Sequence, residues 1–362
     1  MTLNVMWSDP ECSYLIVDSA RTHSEPPQFE NSLLGQAQRR SGDSLTVEEG
    51  VQKIVPLAPD VAVGLCGSEI DVLAVGARLR NTFRYQDGAG FLAHLQALPE
   101  SATVEVSLAI AGGDPAFMAI CHPKRELFEV HRTHMHATGS LTGEPRRFLF
   151  QGIERFLLGP TPPFHPEMRL VVGLAFAMTM SVQYSLTDQG VGGAFFGARL
   201  DETAFHWQPD IVYVLYDPTS FDGLPTVVRP DAPVDFSKVK NSDSRVDQIA
   251  CLVRADSCLA LSTIGKRGVA AWSSILVDDV RELERRLPES LPRSPFTGPG
   301  YFAFIPKVGG AVVVVANDGQ HLQVTAERIA FTDALGRILQ SRDSDGRNSL
   351  TVVQGGQIRQ CA

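Results

Sequence analysis

The stretch MTLNVMWSDPECSYLIVDSART (residues 1–22) carries the pattern that decides the fold. Residues 2–7 alternate roughly as a strand does, Ser8-Asp9-Pro10 is typical of a turn, and a second apolar run ends in LIVD. The pattern predicts two strands joined by a tight turn, with Asp18 at the end of the second strand. A carboxylate that ends a buried run costs free energy unless it has a partner. Asp18 therefore has either a structural partner or a role beside the start of the chain.

Composition and charge narrow the class of protein. The 362 residues predict one large or two ordinary domains, and 44% apolar with 20% charged residues is typical of a soluble globular protein. The formal net charge of −9 argues against a general nucleic-acid or anionic-membrane binder, because no basic block offsets it.

The compartment is predicted to be the cytoplasm. The longest apolar stretch, Leu170 to Met180, is shorter than the roughly 20 residues that a membrane-spanning helix needs. The N-terminus lacks the basic region of a signal peptide. The six cysteines show no CxxC and no tight framework, which indicates reduced thiols.

The order of predicted elements favours helices packed on stacked antiparallel sheets. The polar stretch RTHSEPPQFENSLLGQAQRRSGDS (residues 21–44) has no clear period and predicts a loop. Strands are predicted in VQKIVPLAPDVAVGLCGS, ATVEVSLAIAGGD, PAFMAICHPKRELFEVHR, MHATGS and DIVYVLYD. Helices are predicted after Ser68 and from Pro166, and the second is apolar nearly all round, so it should be packed on two sides.

The chain is predicted to hold two domains. The first spans 1–222, and the Pro-rich polar segment 223–247 reads as a linker. Residues 248–362 alternate strand and helix patterns and form a smaller α/β domain, in which we find no catalytic motif.

Residues 1 to about 216 resemble a proteasome β-subunit or one of its bacterial relatives, in the N-terminal nucleophile (Ntn) hydrolase superfamily. Four features carry the resemblance: Thr2 behind a removable Met1, Asp18 in LIVD, Lys53 in VQKIVPL ahead of Gly67 in GLCGS, and Asp188 in TDQGVGG after the long helix. Ser140 in ATGS corresponds to a serine of a Gly-Ser turn near the family's active site. The resemblance implies a four-layer αββα sandwich of stacked antiparallel sheets, an α+β fold.

The resemblance also implies roles for these residues. The hydroxyl of Thr2 is the nucleophile, and its own α-amine, with a reference pKa of about 7.7–8, is the base. Lys53, held by Asp18, stabilises developing negative charge, and the N–H of Gly67 meets the oxyanion. Asp188 and Ser140 orient the amine.

The implied activity is that of a threonine endopeptidase working in an enclosed chamber. The expected partners are a peptide or unfolded protein substrate and further copies of the chain, with no cofactor, and any unfolding ATPase is unidentified. An apolar pocket for the residue before the cut is expected from Val51, Val55 and Leu65, with Glu69 near its rim.

This sequence departs from the family pattern in four ways. The arginine usually two residues past the aspartate is Arg21, three past Asp18, and the connection to Lys53 is longer by some twenty residues. Val191 replaces the serine before the paired glycines, which removes one hydrogen bond to the amine. The fourth departure is the added C-terminal domain.

Two other functions stay open. One is a non-catalytic assembly or interaction subunit that keeps the fold, and the other is an Ntn amidohydrolase or acyl transferase acting on a small amide. The presence of Thr2, Asp18 and Lys53 together favours a catalytic protein. Val191 and the longer connection between Asp18 and Lys53, an insert at 22–50, favour the assembly subunit.

Other candidate motifs are weaker. HRTHMH holds His131, His134 and His136, but no carboxylate or cysteine lies at fitting spacing, so we expect no metal site. Cys12 could be a nucleophile if processing made it the first residue. The residues from Cys12 to Asp18 are then too few to form a strand, a turn and a second strand. The GVGG run at 190–193 follows a helix and not a strand, which excludes a nucleotide loop.

Overall fold

The computed structural model describes most of both ends of the chain and part of its middle. The described residues are 3–23, 38–39, 46–49, 53–67, 72, 74–77, 79, 104–110, 118–121, 128–131, 135–158, 164–186, 190–201, 203–216, 249–254, 259–264, 269–273, 300–307, 309–324, 329–340 and 349–361. The fold is α+β, with antiparallel-rich sheets and few helices.

The strands and helices are numbered here in chain order. The first thirteen strands are β1 Leu3–Ser8, β2 Ser13–Asp18, β3 Ala20–His23, β4 Gln38–Arg39, β5 Thr46–Glu49, β6 Ile54–Ala58, β7 Val61–Gly67, β8 Val104–Ile110, β9 Met118–Cys121, β10 Phe128–His131, β11 Met135–Gly139, β12 Phe195–Leu200 and β13 Phe205–Trp207. The remaining strands are β14 Ile211–Tyr216, β15 Ile249–Arg254, β16 Leu259–Ile264, β17 Val269–Ser273, β18 Tyr301–Pro306, β19 Val312–Ala316, β20 Leu322–Val324, β21 Ile329–Phe331, β22 Leu350–Gln354 and β23 Gln357–Cys361. The helices are α1 Gly143–Phe156, α2 Pro166–Gln183 and α3 Asp333–Gln340, and residues 72, 74–77 and 79 are also helical.

Two five-stranded antiparallel sheets form the first compact unit. Their orders are β11-β1-β2-β12-β13, called the N-terminal sheet here, and β10-β9-β8-β7-β6, called the second sheet. The unit falls within Met1–Glu30, Ala37–Leu174 and Ser185–Gln208. The hairpin predicted from the first 22 residues is confirmed, because β1 and β2 pair in antiparallel register from Asn4↔Val17 to Ser8↔Ser13.

The two sheets approach each other through β1, β2 and β11 on one side and β7 and β8 on the other, within 8 Å between Cα atoms. Gly64 on β7 faces Asn4 on β1, and a Cβ at position 64 would overlap the amide of that buried asparagine. The absence of a side chain at Gly64 therefore lets the two backbones come close.

We expect Gly64→Ala to lower the free energy of unfolding by about 2 kcal/mol, because an added methyl group forces a well-packed interior apart. Within the described part of the chain the amide of Asn4 makes no hydrogen bond, so Asn4→Ala removes the obstruction without breaking one. Urea unfolding of the single variants and the double variant measures the effect. A double variant no more stable than Gly64→Ala would contradict the proposed overlap.

Helix α2 packs on the N-terminal sheet and confirms the predicted apolar helix from Pro166. Residues 168–181 are all buried. A Cβ at Gly173 would lie 2.6 Å from the ring of Trp7, and one at Gly197 on β12 would lie 2.9 Å from Leu170. These two glycines allow the helix to approach the sheet closely.

The helical residues at 72–79 cover the second sheet. Val72, Val75 and Leu79 belong to one buried apolar cluster with residues of the sheet, namely Val55, Val61, Val63, Leu65, Val106 and Leu108. The predicted helix after Ser68 is confirmed in these residues, whereas Ser68 itself lies outside the described residues.

The second unit is built on an eight-stranded mixed sheet with the order β17-β16-β15-β14-β18-β19-β22-β23. The pairs β14–β18 and β19–β22 are parallel, and the other neighbours are antiparallel. Strand β14, which the sequence placed in the first domain, pairs on both sides with strands of this sheet. The predicted linker 223–247 lies outside the described residues.

Several elements differ from the sequence-based expectation. The stretch 21–44, expected as a loop, contributes most of β3 and all of β4 to a small sheet with the order β3-β5-β4. PAFMAICHPKRELFEVHR gives two strands, β9 and β10, rather than one, and helix α1 and the hairpin β22–β23 were not predicted. Among the described residues, no helix is both long enough and apolar enough to cross a membrane.

Candidate functional site

Asp18 ends β2 as a fully buried carboxylate with three hydrogen-bond donors around it. Its Oδ1 accepts from the backbone N–H of Leu3 at 2.9 Å and from Lys53 Nζ at 2.8 Å. Its Oδ2 accepts from the backbone N–H of Gly192 at 3.0 Å. The partner that the sequence required for this buried carboxylate is thus a lysine together with two backbone amides.

Lys53 reaches Asp18 from the residue just before β6. Its carbonyl accepts from the N–H of Leu65 at 2.9 Å, which extends the pairing of β6 with β7 and fixes the backbone at this position. Its ammonium also donates to the carbonyl of Ala20 at 2.7 Å. An ammonium has three protons, so these two contacts leave one for a further acceptor.

The ion pair is almost completely removed from water. The side chains of Lys53 and Asp18 are 4% and 0% exposed. Desolvating two charges costs several kcal/mol each, which the mutual attraction and extra hydrogen bonds must offset. A buried pair of this kind is weak evidence for stability, because a well-packed apolar pair of similar volume is often as stable.

The glycine-rich turn at 190–193 closes the other side of Asp18. The N–H of Ala20 donates to the carbonyl of Gly192 at 3.1 Å, and the N–H of Ser19 donates to that of Ala194 at 2.9 Å. Gly192 has a φ of 113°, a conformation that glycine tolerates and other residues rarely adopt. This conformation presents its N–H to the carboxylate. Val191, where the resemblance leads one to expect a serine, is buried.

Register places two more predicted residues at the same end of the sheets. Gly67 is the last residue of β7, and Ser140 directly follows β11 and is exposed. Because Leu3 pairs with Gly139, Ser140 lies beside the start of β1. The structure therefore brings Asp18 and Lys53 into contact and places Ser140 at the same end of the N-terminal sheet, with β1 between the strand before Ser140 and the strand that ends in Asp18.

The remaining predicted residues divide into two groups. Thr2, Asp188, Val51 and Glu69 lie outside the described residues. Val55 and Leu65 are 3% and 1% exposed and belong to the apolar cluster under the helical residues at 72–79. Their role in a substrate pocket stays a prediction.

A second charged cluster lies at the opposite end of the β1–β2 hairpin. Asp9 Oδ2 accepts from Tyr14 OH at 2.7 Å and from Arg169 Nη1 at 2.6 Å, and Arg169 also pairs with exposed Glu11. Burial and the charge of Asp9 raise the pKa of Tyr14 above its usual range. Burial opposes the charge on Arg169, but the hydrogen bond and charge of Asp9 raise its pKa above the ordinary value. This cluster ties the hairpin turn to the first turn of α2.

The alternative nucleophile, Cys12, lies within this turn. Its side chain is buried. Burial, and to a smaller extent the negative charge of Asp9, raise the pKa of the thiol. A thiol in this setting is kept protonated, whereas a nucleophile needs the thiolate. Among the described residues no group of three or more histidine, cysteine or acidic side chains is arranged to hold a metal ion, and His134 lies outside them.

The sequence could not show the backbone groups that complete the site. The N–H groups of Leu3 and Gly192 and the carbonyl of Ala20 hold the ion pair, yet a backbone group leaves no trace in residue identity. The sequence feature closest to these backbone groups is the glycine pair in VGG, which served in the sequence analysis only to match Asp188 to the family pattern.

Comparison with known proteins does not identify a family for this chain. No protein-family model matches the chain. No curated protein matches it either.

Proposed function

We propose that the protein is an N-terminal threonine hydrolase that cleaves peptide bonds once Thr2 carries a free α-amine. The observation that carries the proposal is the buried Lys53–Asp18 pair, whose carboxylate also accepts from the N–H of Leu3. Leu3 is covalently joined to Thr2, so a buried cation is anchored one residue from the candidate nucleophile.

The proposed fold is the four-layer αββα sandwich. Its support is the pair of approaching five-stranded sheets, with α2 packed on the N-terminal sheet and the helical residues at 72–79 on the second. In this arrangement the end of β2 meets the residue before β6 in the Asp18–Lys53 contact. The carbonyl of Lys53 accepts from the N–H of Leu65, two residues before Gly67 at the end of β7.

The proposed reaction uses few groups. The unprotonated α-amine of Thr2 takes the hydroxyl proton as Oγ attacks the peptide carbonyl carbon, and the new alkoxide charge falls on the carbonyl oxygen. The N–H of Gly67 donates to this oxyanion, and the Lys53 ammonium stabilises the deprotonated hydroxyl. The protonated amine then gives its proton to the leaving amine as the peptide C–N bond breaks, which leaves an ester on Thr2. Water, activated by the same amine, hydrolyses that ester.

Ser140 and Asp188 are proposed to orient the α-amine. For Ser140 the support is that Gly139, the residue before it, pairs with Leu3, the residue after Thr2 in the sequence. For Asp188 the support is its place in the chain, just before the turn whose Gly192 N–H holds Asp18.

The proposed setting is a cytoplasmic homo-oligomer acting on peptides or unfolded proteins, with a preference for apolar residues before the cut. The cytoplasmic setting is proposed from the sequence alone, whose six cysteines show no CxxC and no tight framework. Helix α2 gives no support to the oligomer, although its apolar character first suggested a face for neighbours. Residues 168–181 are buried within the single chain, so the proposal of assembly rests on the resemblance.

The test is to control when Thr2 becomes the first residue. We expect a fusion whose cleavage leaves Thr2 as the N-terminus to hydrolyse fluorogenic peptides only after cleavage, because the base is the α-amine itself. Intact mass identifies the N-terminus in each sample, and Thr2→Ala processed in the same way is the control. Equal hydrolysis before and after cleavage would exclude the N-terminal mechanism.

A further inference from the structure

A buried polar bridge joins the two sheets beside the candidate site. Thr138 Oγ1 on β11 lies 3.3 Å from Cys66 Sγ on β7 and 3.1 Å from Ser107 Oγ on β8. The exposed fractions of Thr138, Cys66 and Ser107 are 6%, 2% and 1%. A hydroxyl donates one proton and accepts through two lone pairs, so Thr138 can satisfy both neighbours at once.

The bridge spans the gap between two groups on which the proposed reaction depends. In the N-terminal sheet Thr138 pairs with Asn4, which lies two residues after Thr2. In the second sheet Cys66 is the residue before Gly67. Beside the direct contact of Asn4 with Gly64, the Thr138 hydroxyl therefore gives a hydrogen-bonded connection between the strand that follows Thr2 and the strand that ends in Gly67.

We propose that Thr138 is a positioning residue whose hydroxyl sets the distance between the Thr2 nucleophile and the oxyanion-binding N–H of Gly67. This inference rests on the proposed function. The hydroxyl makes no contact with substrate and acts through Cys66 on one side and the β1–β11 pairing on the other.

The chemistry at position 138 favours this role over simple packing. Valine has the shape of threonine and would fill the same space without the two polar contacts. A buried hydroxyl costs free energy unless it is hydrogen-bonded, and its bonds have directional geometry that apolar contact lacks. An oxyanion donor acts only when its distance to the developing charge is correct, so a small error in sheet separation acts on the chemical step.

The experiment compares Thr138→Val with Thr138→Ser on the chain whose N-terminus is Thr2. We expect Thr138→Val to lower kcat about 100-fold with little change in KM, because misplacement of about 1 Å costs that much. Thr138→Ser keeps the hydroxyl and should recover most of kcat. Thr351→Val is the matched control, since Thr351 is a buried strand threonine of the eight-stranded sheet.

A Thr138→Val enzyme with unchanged kcat, or a Thr138→Ser enzyme as slow as Thr138→Val, would overturn the inference. If Thr138→Val does not fold, the kcat values of Cys66→Ala and Ser107→Ala test the inference instead. The inference expects the larger kcat loss for Cys66→Ala, because Cys66 adjoins Gly67, and equal losses would contradict it. If the unsubstituted chain with Thr2 exposed hydrolyses nothing, the proposed function itself fails, which is a different result from an active Thr138→Val.

Discussion

Replacing Thr2 by alanine should abolish peptide hydrolysis and leave the fold unchanged. The change removes the one hydroxyl whose own α-amine can act as its base, so we expect kcat/KM to fall by about 10⁴-fold or more. A single hydroxyl at the chain start should change the free energy of unfolding by less than about 0.5 kcal/mol. Hydrolysis of fluorogenic peptides and urea unfolding measure the two quantities.

Thr2→Ser is the matched variant, because it keeps both hydroxyl and amine. It should retain most of the activity that Thr2→Ala loses. Equal hydrolysis by the unsubstituted chain and Thr2→Ala would show that another residue is the nucleophile.

Removing the charge of Lys53 should reduce stability and activity together. Lys53→Ala leaves Asp18 as a buried carboxylate without its cation, which costs about 3–5 kcal/mol of unfolding free energy. Activity should fall by about 10²–10³-fold, since charge stabilisation at a reacting centre is lost. Lys53→Arg should not restore it, because a planar guanidinium does not fit between Asp18 and the carbonyl of Ala20 as a compact ammonium does.

A double variant separates the two effects. Asp18→Asn with Lys53→Met removes both charges and keeps an amide oxygen that can accept from the Leu3 N–H. Stability should recover relative to Lys53→Ala, because no unpaired charge is left buried, while activity stays lost. An active double variant, or near-native rates in Lys53→Arg, would show that the lysine has only a structural role.

The elements that the sequence predicted have strong local patterns. The first strand of the β1–β2 hairpin alternates before an Asp-Pro turn. Helix α2 begins at Pro166, a favoured first residue of a helix, and contains the longest apolar stretch, Leu170 to Met180. The missed helix α1 carries five charged residues and buries only Leu149, Gly152, Ile153 and Phe156. Such a narrow stripe is easily hidden among charged residues.

Long-range pairing explains most of what could not be predicted. Strand β5 lies between β3 and β4 in a polar segment whose spacing gives no period, so only the pairing itself defines these strands. Arg169 and Asp9 are 160 positions apart, and Thr138 and Cys66 are 72 apart. The contact of Lys53 with Asp18 was expected from the resemblance to a family, because their spacing in the sequence does not by itself indicate a pair.

Covalent capture at the N-terminus tests the central claim most directly. A peptide epoxyketone has two electrophilic carbons, and a residue that carries both a hydroxyl and a free α-amine can react with both. Mass analysis of the treated protein, followed by peptide mapping, should place one inhibitor mass on the peptide that begins with Thr2, with no adduct in Thr2→Ala and a much slower reaction in Lys53→Ala. An adduct on any other residue, or hydrolytic activity that persists while the Thr2 peptide stays unmodified, would contradict the account.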